Sequence, residues 1–133
     1  MDDSRPLLVV DAANVVGSVP DGWWRDRAGA TERLRDALVD YAALGLSSGP
    51  LPLRDGPLDI VLVVEGAARR VASVDGVRVV AAEGSGDDAI VEVVREKGSG
   101  RACVVATADR ELSDRVTALG AVVVGPRAVR SSR

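Results

Sequence analysis

The stretch Leu7–Asn14, LLVVDAAN, decides how the rest of the chain is read. Four consecutive apolar residues run into Asp11, two alanines and Asn14, the pattern of a strand buried on both faces and closed by polar groups. Such a strand belongs in the middle of a sheet. Ligands of open α/β sheets collect outside the carboxyl ends of the strands, so Asp11 and Asn14 stand where an active site would be built. No helix signal follows Asp11 directly. A capping role is therefore not expected for it, and a charge at the end of a buried strand needs a partner. The Asn14 amide is suited both to holding Asp11 and to donating to a phosphate oxygen.

Outward from this strand the chain alternates. A loop, VVGSVPDGWWRDR, leads to a helix predicted over Arg25–Leu44, with Ala30, Leu34, Ala37, Leu38 and Tyr41 at helical spacing. Gly45–Pro57 is turn chemistry throughout and reads as a long, mobile surface loop. Buried strands are predicted at Asp59–Val64 and Val77–Ala82, ended by Glu65 and Glu83, with a short helix or turn over Ala67–Asp75 between them. Ser85–Lys97 reads as a helix with the inner face Ile90, Val91, Val93 and Val94. Ala102–Thr107 is a fourth strand, leading through Asp109 into a helix that carries Leu112, Val116 and Leu119, and Ala121–Val124 is a fifth.

Strands alternating with helices imply a three-layer α/β/α fold around a parallel sheet of about five strands. One domain is expected over residues 1–133, with 1–6 and 127–133 as flexible tails. Right-handed crossovers place every strand's carboxyl end on one edge, so Asp11, Glu65, Glu83, Asp87 with Asp88, and Asp109 should converge on one rim. Taken singly, Asp87, Asp88 and Asp109 also suit helix N-termini, and Glu83 a solvated loop.

Composition narrows the chemistry. The 133 residues include no histidine, which excludes Ser-His-Asp and Cys-His catalysis and leaves carboxylates as general bases and metal ligands. Oxygen donors suit Mg²⁺ or Mn²⁺. Two carboxylates ~4 Å apart repel by about 4 kcal/mol at an effective dielectric near 20, so a cluster of three requires protons or a divalent cation. The single Cys103 excludes an internal disulfide and a CxxC site and reads as a core residue in a reducing compartment. No apolar span approaches the ~18 residues of a membrane crossing, and no signal segment is evident. A cytoplasmic protein without a membrane partner is expected. Net charge is −3, although sixteen of the seventeen basic residues are arginine, the side chain best shaped for phosphate. That balance argues against tight, unspecific binding to a long duplex.

VVDAANVVG (residues 9–17), an acidic residue after the second strand, GDDAIVEVV (86–94) and VVATADREL (104–112) together resemble the PIN-like nucleases, specifically their NYN branch. The resemblance runs from about Leu7 to Pro126. It implies a metal-dependent endoribonuclease that uses Mg²⁺ or Mn²⁺ and leaves a 5′-phosphate and a 3′-hydroxyl. It further implies that Asp11, Asn14, Asp87 and Asp109 are catalytic, that Asp11, Asp87 and Asp109 hold metal, and that Asp88 and Glu65 assist. Glu65 departs from the family, which more often has an aspartate there. No lysine accompanies Asp87, and Asp114 lies a full turn beyond Asp109.

Substrate contacts are expected from Trp23 and Trp24, adjacent to Arg25 and Arg27, and from Ser85. Indole and guanidinium together suit an unpaired base, which favours single-stranded RNA over duplex; a hydrophobic staple at the helix start is the other use for a tryptophan. A metal-dependent nucleotide (pyro)phosphohydrolase and a non-catalytic RNA- or protein-binding module are the rival functions, and a homodimer is left open. A dinucleotide site is disfavoured, because the glycines of EGSGDD are followed at once by two negative charges.

Overall fold

The computed structural model describes residues 5–47 and 49–130. Its centre is a parallel sheet of β1 (Leu7–Asp11), β2 (Asp59–Val64), β3 (Val77–Ala81), β4 (Cys103–Ala106) and β5 (Val122–Val124), in the order β3-β2-β1-β4-β5. Four helices cover it: α1 (Ala12–Val16), α2 (Arg27–Leu44), α3 (Gly86–Lys97) and α4 (Arg110–Thr117).

Strand periodicity divides the core in two. Leu8 and Val10 pack with Ile60, Leu62, Leu34 and Leu38 beneath α1 and α2, whereas Leu7 and Val9 pack with Val61, Val63, Ile90 and Leu112 beneath α3 and α4. This is the expected three-layer α/β/α fold around a parallel sheet of five strands. From β1 the chain moves outward to β2 and β3, then returns through α3 to β4 on the other side of β1. The strand order reverses between β1 and β4, which opens a crevice at their carboxyl ends.

Four expectations are corrected. A helix does follow Asp11: α1 begins at Ala12, capped by Asp11 and anchored by the buried Val15 and Val16. The long helix begins at Arg27, where the Asp26 carboxylate accepts from Gly29 N–H at 2.9 Å, and Trp23–Arg25 forms a 3₁₀ turn before it. Its inner face carries Thr31 and Ala42 with Ala30, Leu34 and Leu38, while Ala37 is exposed.

Gly45–Pro57 is not a loose loop. Leu46 and Leu53 are buried, Leu46 N–H donates to Leu53 O at 2.6 Å, and a Cβ at Gly56 would collide with Ala43 O. Nor are the described parts of the tails frayed. Val129 is buried, and the Arg130 guanidinium donates to Val15 O, to Val16 O and to the Asp21 carboxylate. Pro6 O accepts from Asp59 N–H at 2.9 Å. Residues 1–4 and 131–133 lie outside the described residues.

At the amino edge of the sheet Asp59 is buried and pairs with Arg78 through both oxygens at 2.9 Å and with Arg101 at 3.2 Å. Among the described residues no helix is long and apolar enough to cross a membrane.

Candidate active site

Asp11 ends the central strand and is only 5% exposed. Its Oδ1 accepts from Asn14 N–H at 3.4 Å and its Oδ2 accepts from the Thr107 hydroxyl at 2.9 Å. Burial pushes the carboxyl above its ordinary value; the two hydrogen bonds oppose that shift, and the charges of Asp87 and Glu65 add to it. Capping α1 accounts for one oxygen. It does not account for a carboxylate this deeply buried among other carboxylates.

Thr107 was missed in the sequence, where it reads as the last residue of an apolar strand. It is 2% exposed and works in both directions, donating to Asp11 and accepting from Asp109 N–H at 3.1 Å. The available signal was a hydroxyl two residues before Asp109 in a run that is otherwise apolar. Asn14 also differs from expectation. Its backbone N–H, not its amide, holds Asp11, and its side-chain Oδ1 accepts from Ala108 N–H at 2.8 Å. Asn14 therefore ties α1 to the loop after β4.

Asp109 caps α4, with Oδ1 accepting from Leu112 N–H at 2.9 Å. Glu65, just past β2, reaches the start of α3, where its Oε2 accepts from Gly86 N–H at 3.1 Å. A Cβ at position 86 would collide with that oxygen, so glycine is what lets Glu65 approach. The Asp87 carboxylate takes part in no hydrogen bond or ion pair among the described residues. Its carboxyl is raised first by burial, then by Asp109 and Glu65, with Arg115 opposing. Asp11, Glu65, Asp87 and Asp109 thus share one electrostatic neighbourhood.

The remaining acidic candidates lie elsewhere. Asp88 is 76% exposed and pairs with Arg115 at 3.1 Å. Glu83 and Asp114 are exposed, and Ser85 caps α3 by accepting from Asp88 N–H at 3.2 Å. Among the described residues no three His, Cys, Asp or Glu side chains are grouped so as to hold a metal ion. The all-oxygen donor set fits the habit of Mg²⁺, which keeps several waters and takes one or two carboxylates plus substrate phosphate.

This arrangement of sheet and helices is found in solved structures. It is the fold of Rae1 (YacP). A crystal structure of that Bacillus subtilis protein matches with a TM-score of 0.70 and 17% identity, over 93% of this chain and 71% of Rae1. A tryptophan-to-leucine mutant of Rae1 matches with a TM-score of 0.69 at 17% identity, over 94% and 72% of the two chains. The likeness to Rae1 is one of fold, and it assigns no residue a role. No protein-family model and no curated protein matches the chain.

The two tryptophans stand on the 3₁₀ turn that precedes α2. Trp23 is half-buried against the α2 side of the core, with the Arg27 guanidinium 5.3 Å from its ring centre. Trp24 meets it edge-on at 5.9 Å, is 54% exposed and carries Arg25 at 6.0 Å. The expected quartet therefore divides into an inner and an outer cation–indole pair. Only the inner pair borders a cleft that Glu65 also lines.

Proposed function

We propose that the protein is a metal-dependent ribonuclease that hydrolyses phosphodiester bonds of single-stranded RNA at the carboxyl edge of its sheet. The carrying observation is the buried Asp11 carboxyl, raised by burial and by neighbouring carboxylates, at the point where the strand order reverses. Groups perturbed by desolvation and by specific charged neighbours in a crevice mark functional sites. Like charges gathered there also favour a cation.

Asp11, Asp87 and Asp109 are the candidate ligands for Mg²⁺ or Mn²⁺, one or two of them binding the ion directly and the rest through its waters, with Glu65 adding negative charge beside them. When bound, the ion lowers the pKa of a bound water and offsets charge on the phosphate oxygens. Thr107 and Asn14 act as positioning residues. Thr107 fixes the Asp11 carboxylate, and Asn14 fixes α1 against the loop that carries Asp109. With no histidine in the chain, the side-chain acceptors at hand for a proton from water are carboxylate oxygens. The fold shared with Rae1 and the PIN-like motifs support the assignment.

The test incubates the protein with single-stranded RNA, duplex RNA and nucleoside triphosphates, in Mn²⁺, Mg²⁺ or EDTA, beside Asp11→Asn. Cleavage of single-stranded RNA that requires the cation and is lost in the variant is expected. Triphosphate hydrolysis without RNA cleavage would instead make the protein a nucleotide phosphohydrolase. Metal-independent binding without turnover would make it a binding module.

A further inference from the structure

We propose that the cleft between α1, α2 and the end of β2 takes one unpaired nucleobase from the strand whose phosphate lies on the carboxylate rim. This rests on the RNA-directed function above. The cleft is about 170 Å³ and is bordered by Ala12, Ala13, Trp23, Arg27, Thr31 and Glu65. Pockets that enclose a whole small molecule run to ~300–1,000 Å³, so this one suits a fragment whose remainder lies outside. A base whose sugar and phosphate continue onto the rim is such a fragment.

The walls match a base better than an apolar side chain. Trp23 supplies a π surface that is sequence-tolerant, since every base has a π face. The Arg27 head is 3.9 Å from where a Cβ of Gly66 would stand, which brings a donor fork beside the residue that follows Glu65. Glu65 supplies the acceptor: Oε2 is held by Gly86 N–H, and Oε1 has no hydrogen-bond partner among the described residues. The edge of a base offers both donors and acceptors, whereas an apolar peptide group would leave Arg27 and Glu65 unpaired. Thr31 does not compete, because its hydroxyl is donated to Arg27 O at 2.8 Å.

Glu65 also connects the cleft to the chemistry. The carboxyl that lines the cleft is the one hydrogen-bonded to the residue before Asp87. A base seated here belongs to the nucleotide next to the reacting phosphate. The exposed Trp24 does not border the cleft and has no part in this subsite.

Because Trp23 also anchors the start of α2, the test leaves it in place. Trp24→Phe makes Trp23 the only tryptophan. Its emission is titrated with a short oligouridylate and with a base-free ribose-phosphate strand of equal length, with Ca²⁺ in place of Mn²⁺. Saturable quenching by the oligouridylate and none by the base-free strand is expected. Ala13→Leu, which narrows the cleft from an exposed helix position, should weaken the quenching midpoint by about tenfold or more, on the scale of losing one stacked base. Equal quenching by both strands, or an unchanged Trp23 signal, overturns the proposal. Cleavage of the same oligouridylate by the unmodified protein in Mn²⁺ is scored separately. Cleavage without a Trp23 response removes the base cleft alone, and a Trp23 response without cleavage removes hydrolysis alone.

Discussion

The Thr107 hydroxyl donates to Asp11 Oδ2 at 2.9 Å across the boundary between β1 and β4. The Thr107 hydroxyl oxygen in turn accepts from Asp109 N–H, so one buried side chain sets the position of two of the four carboxylates. Thr107→Val keeps the shape and removes both bonds. Activity is expected to fall by about 10–100-fold, as when an outer partner of a ligand is lost. Stability should fall by about 1–3 kcal/mol from the unpaired Asp109 N–H. Thr107→Ser should recover most of both, as read by RNA cleavage rates and denaturant melts.

The pH dependence of Asp11 has a definite sign. Its folded value lies above 3.8, so the folded protein holds the proton more tightly than the unfolded chain. The stability this group contributes is fully present below 3.8 and is lost as pH rises through the folded value. Asp11→Asn removes that loss. The variant should melt above the wild type at pH 7 and converge with it as pH falls toward 3.8, while cleaving RNA at least about 100-fold more slowly. Calorimetric melts across pH check the first part and cleavage assays the second.

Gly86→Ala tests the placement of Glu65 without touching it. The new Cβ collides with Glu65 Oε2, the end of a flexible side chain that can swing aside. The fold should change by less than about 1 kcal/mol, because alanine is also the better helix former. Cleavage should drop by about tenfold or more as the carboxylate leaves Gly86 N–H. Loss of activity at unchanged melting temperature is the outcome to look for.

At the opposite edge of the sheet, Asp59→Ala leaves the buried Arg101 without this carboxylate. Breaking a buried pair costs about 3–5 kcal/mol; the lower end is expected here, because the Arg78 side chain is 48% exposed. Asp59 lies at the amino end of β2, away from the carboxyl-edge site, so cleavage per folded molecule should be unchanged. Denaturant melts and assays on the folded fraction separate the two quantities.

The layers were legible because they depend on local pattern. Asp59–Val64 and Gly86–Lys97 lie where runs of branched apolar residues and a capping Ser85 predict them, to within a residue. Helix α1 was not legible. Five residues show no period, and Val15 and Val16 favour a strand on their own. They become helical because the sheet offers them a buried face and Asp11 caps the turn. In Gly45–Pro57 glycine, proline and serine suggest mobility, but Leu46 and Leu53 find a core that exists only once α2 and β2 are assembled.

The sequence by itself determined the alternating elements, the central buried strand and the placing of carboxylates just past the strand ends, since strand and helix periods are properties of neighbouring residues. Only the tertiary structure decided which carboxylates face one another. Asp88 turns to Arg115, Glu83 is exposed, Glu65 reaches Gly86 across 21 residues, and Thr107 meets Asp11 across 96. Those pairings depend on through-space distances of a few ångströms between distant parts of the chain, and no local period encodes them.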